Sequence, residues 1–203
     1  MFDVVWTQVI HTSWIEWLGT AAGISGVWFS IREKIAAWPL FIVCYTAYTF
    51  ISFHSGMYAA TGMNVIFIGI SIYGWLSWSR STKAVATARQ ITRTPRQLWW
   101  IALAFWGSGT LVVGWILHRF AGNAYFPFVD AFAGCGALVA QWMLSRKYFA
   151  TWTCWILANL TFLVLWIGQE RWLTVGLYFA FTGLAVHGWI MWRRSLQAHG
   201  APH

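Results

Sequence analysis

Trp152, Trp155 and Asn159 follow one another at i, i+3 and i+7, a spacing that puts three side chains on one face of a helix. Two indoles on such a face can stack on a flat heteroaromatic ring, and if that ring is a cation the indole faces add cation–π attraction. An amide one turn further on can read a ribose hydroxyl or a carboxamide, and inside hydrocarbon an amide needs a partner of that kind. The competing reading for the indoles is packing on neighbouring helices or anchoring at the lipid–water boundary, which most of the 18 Trp residues must do.

A second pattern occurs twice. Tyr73-Gly74-Trp75-x-x-Trp78 returns as His187-Gly188-Trp189-x-x-Trp192. Tyr73 and His187 could line or gate a path, although a satisfied interhelical hydrogen bond explains the histidine equally well. The Trp pairs stand just before Arg80 and Arg193/Arg194, a depth that suits aromatic anchors, and Gly74 and Gly188 suit close helix approach. Glu16 and Asp130 each open an apolar run, where a helix macrodipole stabilises a carboxylate and where the two could attract a cationic solute from outside. No group of His, Cys and acidic residues supplies a nucleophile, a general base or a metal cage, so neither an enzyme nor a metal or cofactor is expected. Cys44, Cys135 and Cys154 each lie within an apolar run and read as small core residues.

These residues must be held by membrane helices. The chain is 59% hydrophobic and 9% charged, with a mean hydropathy of +0.58, whereas a soluble domain carries roughly 25% charged residues. Lipid is its main solvent. Apolar runs long enough to cross a bilayer fall at about 14–31, 38–54, 57–78, 98–118, 127–145, 149–167 and 172–192. The net charge of +8 sits in the loops between them, so it specifies topology and no nucleic-acid partner is expected. Eleven Lys and Arg occupy one set of loops and two (Arg119, Arg171) the other. That bias predicts an outer N-terminus and a cytoplasmic C-terminus. Residues 79–97, rich in Ser, Thr and Arg, read as a cytoplasmic linker, and residues 1–12 lack the basic start of a cleavable signal peptide. Lys34, Lys83 and Lys147 are all in loops, so no buried Schiff-base lysine of a retinal protein is available.

Sliding the sequence along itself by 114 residues gives 13 identities in 69 pairs from residue 13 to 81, including Trp28/Trp142, Arg32/Arg146, Trp38/Trp152, Gly62/Gly176 and the doubled Gly-Trp-x-x-Trp. The chain therefore divides into a first three-helix repeat (13–81), a linker with one extra helix (82–126) and a second repeat (127–195). Three helices reverse the side on which the chain stands. The unpaired helix restores it and makes the repeats parallel, which is a transporter architecture with its substrate site near the midplane at the repeat interface.

Ser13-Trp-Ile-Glu-Trp-Leu-Gly19-Thr, Ile72-Tyr-Gly-Trp75, Pro127-Phe-Val-Asp130 and Arg146-Lys-Tyr…Trp152-x-x-Trp155-x-x-x-Asn159 resemble the Pnu-type vitamin transporters, above all the PnuC nicotinamide riboside transporters. The similarity runs from about Ser13 to Trp192. It implies a SWEET-like all-α fold of three, one and three helices, a homotrimer in the bacterial inner membrane, and uptake by facilitated diffusion with trapping by a cytoplasmic kinase. Cys44, Ser71 and His187 stand where the family often has Asn, and Asn64 replaces a longer amide. Nicotinamide riboside is thus the first expectation, with thiamine, riboflavin or another nucleoside, and a proton-coupled mechanism, open beside it. The expected substrate-binding set is Trp152, Trp155, Asn159, Tyr45, Asn64, Trp75, Tyr73, His187 and Trp189, with Glu16 and Asp130 as gating residues.

Overall fold

In a computed structural model, which describes residues 8, 10, 12–83, 90–121 and 125–198, the chain forms seven long helices. They are α1 (Trp14–Ile31), α2 (Ala37–His54), α3 (Tyr58–Lys83), α4 (Arg96–Phe120), α5 (Pro127–Ser145), α6 (Thr151–Gly168) and α7 (Trp172–Ala198). Each falls on one of the expected apolar runs. The stretch before Thr12 lies almost wholly outside the described residues, as do residues 84–89 of the linker. The expected linker is shorter than 79–97, because α3 runs on to Lys83 and α4 starts at Arg96. Hydropathy marks where lipid ends, but backbone hydrogen bonding continues through the polar residues beyond it. Five helices (α3 to α7) are long and apolar enough to cross a membrane by length and composition. α1 and α2 have 18 residues each, as α6 does, so composition and not length sets them apart, and Glu16 and His54 are among the residues that lower their hydropathy.

The chain forms two compact units. Residues 1–90 with 144–147 make one, and residues 91–143 with 148–203 the other. In the first unit α2 packs on both α1 and α3. Ser13 caps α1, its hydroxyl accepting from the Glu16 N–H at 3.2 Å. Small residues then let α1 and α2 approach: a Cβ on Gly19 would touch Ala47 at 3.2 Å, and one on Gly26 would meet the Phe41 ring at 2.8 Å. Between α2 and α3 the Trp38 indole fills the space beside Gly74 and meets Trp78 edge to face, with centroids 5.3 Å apart. Trp38 is fully buried.

In the second unit α5 is the most enclosed helix. Its residues Ala131, Ala133, Cys135, Ala137 and Ala140 are small and buried, which admits neighbouring helices closely where lipid gives no hydrophobic drive for association. α4 docks on it through Trp106, whose indole N–H donates to the Phe132 carbonyl at 2.8 Å while its ring covers Gly136. Trp152 repeats the part of Trp38: it lies against Gly188 and meets Trp192 edge to face at 5.3 Å. The end of the linker is tied to the turn before α6, the Phe149 N–H donating to the Thr92 carbonyl at 3.0 Å and the Ala150 N–H to the Thr94 hydroxyl at 3.3 Å.

The turns also recur bond for bond. After α1, Glu33 N–H donates to Ser30 O and Lys34 N–H to Phe29 O; after α5, Lys147 N–H donates to Leu144 O and Tyr148 N–H to Met143 O. Glu33 and Lys147 both have φ 55°, the left-handed conformation that usually selects glycine at a helix C-terminus. Gly56 after α2 and Glu170 after α6 form a second such pair, with φ 71° and 56°.

A methyl group at Gly74 or Gly188 would collide with an indole ring, and overpacking of this kind costs about 1–3 kcal/mol. Gly74→Ala and Gly188→Ala are therefore expected to lower the thermal midpoint in detergent. Gly62→Ala and Gly176→Ala, where a Cβ meets nothing within 4 Å, should leave it unchanged or raise it.

Candidate functional site

α6 carries Trp152, Trp155 and Asn159, and the three have different surroundings. Trp152 is 1% exposed and locked between Gly188 and Trp192. Its indole N–H is buried without a hydrogen-bond partner, and so is that of Trp38. The same orphaned donor thus recurs at the two positions that the 114-residue shift pairs. Trp155 is half-buried and packs on the cluster of Trp106, Cys135, Val139 and Cys154. Asn159, one turn on, is 4% exposed, and no hydrogen bond to its carboxamide is present among the described residues. A buried amide in a membrane helix calls for a partner, so Asn159 is the group on this helix most suited to a polar solute.

The matching positions in the first repeat are Trp38, Phe41 and Tyr45. Tyr45 is half-buried and stacks on Phe67 with centroids 4.6 Å apart and planes 11° apart, and on Phe41 with centroids 6.2 Å apart. Asn64 is half-buried on α3. Tyr73 and Trp75 are both exposed on α3, and the Arg146 guanidinium lies over the Tyr73 ring at 5.3 Å. On α7, His187 is exposed; Trp189 is half-buried beside Phe149, with Arg193 over its ring at 5.0 Å. Glu16 is half-buried at the start of α1 and Asp130 exposed at the start of α5. Glu16, Tyr45, Asn64, Tyr73 and Trp75 belong to the first unit, and Asp130, Trp152, Trp155, Asn159, His187 and Trp189 to the second.

Other polar groups drew no attention in the sequence. The Thr20 and Tyr48 hydroxyls are hydrogen-bonded at 2.9 Å, and the Thr61 hydroxyl donates to that of Ser52 at 3.0 Å, so the end of the first unit where α2 gives way to α3 holds several hydroxyls. The 114-residue shift places Gly134, Phe162, Trp166 and Val175 at these four positions, all without a hydroxyl. Gln141 is fully buried in α5. It is the one amide of that helix, which was the available signal. Glu33 and Lys147 form an ion pair at 2.8 Å. Among the described residues no three His, Cys, Asp or Glu come together to hold a metal, and every described Lys and Arg lies in a turn or a terminal stretch of a helix. Among the described residues, the spans offer no cation to hold a phosphate.

Residues 13–194 match the model of the nicotinamide mononucleotide transporter family. The chain is 26% identical over 213 residues to the nicotinamide riboside transporter PnuC of Escherichia coli K12, covering 93% of this chain and 89% of that protein. It is 23% identical over 154 residues to the riboflavin/roseoflavin transporter RibM of Streptomyces davaonensis, covering 74% and 70%. The crystal structure of the vitamin B3 transporter PnuC has the same fold, with a TM-score of 0.73 at 20% identity over 97% of this chain and 87% of that one.

The burial of Trp152 separates two substitutions on one helix. Trp152→Ala is expected to lower stability by about 3–5 kcal/mol, the range for removing a buried aromatic ring, and Trp38→Ala by a similar amount. Asn159→Ala removes no comparable packing and should keep the thermal midpoint while weakening ligand binding. Thermal unfolding beside calorimetric titration of both variants checks this, and an Asn159→Ala protein with undiminished affinity would place the polar contact elsewhere.

Proposed function

The chain belongs to the nicotinamide mononucleotide transporter family, and from that premise we propose that it takes up nicotinamide riboside across the bacterial inner membrane. As a member of that family it is a multi-pass membrane transporter. The single observation that carries the choice of substrate is the distribution of charge. A mononucleotide brings a phosphate that Lys or Arg would have to meet, and the described spans keep their cations at the ends. A riboside brings a cationic pyridinium, a carboxamide and ribose hydroxyls. Trp155 supplies an aromatic face for the ring, Asn159 an amide for the carboxamide or ribose, and Glu16 and Asp130 a negative approach for the cation. Tyr45, Asn64, Tyr73, Trp75, Trp152, His187 and Trp189 complete the proposed lining. The likeness to E. coli PnuC over most of both chains supports the same substrate.

In this reading the seven helices form two parallel SWEET-like repeats joined by α4, the N-terminus is outside, and the protein works as a homotrimer. Transport is facilitated diffusion, made one-way when a cytoplasmic kinase phosphorylates the vitamin. The added phosphate would find no cation within the spans to carry it back. A riboflavin carrier is the second reading, favoured by the likeness to RibM.

Titration of the purified protein with nicotinamide riboside, nicotinamide mononucleotide, thiamine and riboflavin tests the choice. The riboside is expected to bind at least about ten-fold more tightly than the mononucleotide, which corresponds to about 1.4 kcal/mol. Tighter binding of riboflavin or thiamine would replace the substrate. Uptake into vesicles should persist when an ionophore collapses the proton gradient; its loss would make the carrier proton-coupled.

A further inference from the structure

The turn after α5 is the place where the second repeat enters the first unit. Residues 144–147 cluster with α1–α3, whereas the chain on either side of them belongs to the second unit. Within this strap Lys147 reaches Glu33, Nζ to Oε2, at 2.8 Å, and lies over the Trp78 ring at 4.7 Å. The lysine side chain is 12% exposed and the glutamate 33%.

Three features set this pair apart from an ordinary surface ion pair. The partners are 114 residues apart, so they are the same position of the two repeats. Where both repeats carry a charge, Glu16/Asp130, Arg32/Arg146 and Arg80/Arg194 keep its sign and Glu33/Lys147 reverses it. Both residues also sit at φ 55°, where glycine is free of strain and a side chain is not. A turn alone would be better served by two glycines. Opposite charges at these places are worth their conformational cost if the contact between them matters.

We propose that Glu33 and Lys147 are a latch that holds the end of the transport path bearing the basic loops closed, and that it parts once per transport cycle. The inference rests on the transport reading above. An ion pair suits this duty because partly exposed pairs are weak enough to be broken thermally. The indole–glycine contacts of Trp38 and Trp152 are buried and cannot part without unpacking a helix. Lys147 meets the aromatic face of Trp78, which also meets Trp38 edge to face, so the closed strap rests on the indole packing of the first unit. Any displacement of the strap from α1–α3 has to break the pair.

The strap can be watched without substrate. Ser145 is fully buried in it, and a Ser145→Cys protein lacking Cys44, Cys135 and Cys154 reports opening through its rate of reaction with a polar maleimide in nanodiscs. Glu33→Asn and Lys147→Asn delete the charge and keep a residue that tolerates the left-handed turn. Each is expected to speed labelling about five-fold, the scale of a partly exposed ion pair. Efflux of nicotinamide riboside from preloaded liposomes should rise in step, with the thermal midpoint held. The exchange Glu33→Lys with Lys147→Glu should return both rates toward the parent values. Equal labelling in all four proteins overturns the latch. Fast labelling in the exchanged pair also overturns it and assigns the effect to the seat of Lys147 on Trp78. If the parent protein moves no riboside while labelling follows the expected series, the substrate reading fails and the strap contact stands.

Discussion

At Gly74 and Gly188 a missing Cβ leaves room for an indole against a helix backbone, and much of the protein is organised around that space. Trp38 occupies the first and Trp152 the second, each turned edge-on to a further indole, Trp78 or Trp192, at the same 5.3 Å. In lipid the burial of apolar surface does not favour one helix contact over another, so close packing and small residues must specify the partner. An edge-to-face pair adds about 0.5–1.5 kcal/mol and a fixed orientation. The contact sets the register of α2 against α3 and of α6 against α7. It also makes Trp78 a rigid seat for Lys147, and through it the strap.

Helix number and position were legible because a span must be long and apolar whatever it contacts. The surroundings of individual residues were less so. Trp152 and Trp155 look alike in sequence, and only packing distinguishes an indole wedged beside Gly188 from one half-buried at a cluster edge. The matching Trp38 carried a clue, since the 114-residue shift pairs Trp152 with another Trp but pairs Asn159 with Tyr45, so the indole belongs to what the two stretches share. Glu33 and Lys147 were hidden for the opposite reason. A reversed charge counts as a mismatch when a sequence is compared with itself, yet it is what two contacting equivalent positions require. The extension of α3 to Lys83 was invisible to hydropathy, because a helix keeps its hydrogen bonds after it leaves the lipid.

The two stretches paired by the 114-residue shift thus agree at helix-packing and turn positions and differ at a set of polar ones. Shared positions are the indole–glycine contacts and the bond-for-bond turns. Divergent positions include the hydroxyls of Thr20, Tyr48, Ser52 and Thr61, the carboxamide of Asn159, and the ion pair. A duplicated scaffold can change one copy at such places without disturbing the turn geometry it shares with the other.

The spacing of the indole contacts bears on how the chain is made. Trp38 and Trp78 are 40 residues apart, as are Trp152 and Trp192. A ribosome adding about 5–20 residues per second covers that interval in roughly two to eight seconds. The first contact involves nothing beyond α3, so it can close while the second repeat is still unsynthesised. Insertion can then proceed with one hairpin already fixed, and the later copy need only repeat the same local step.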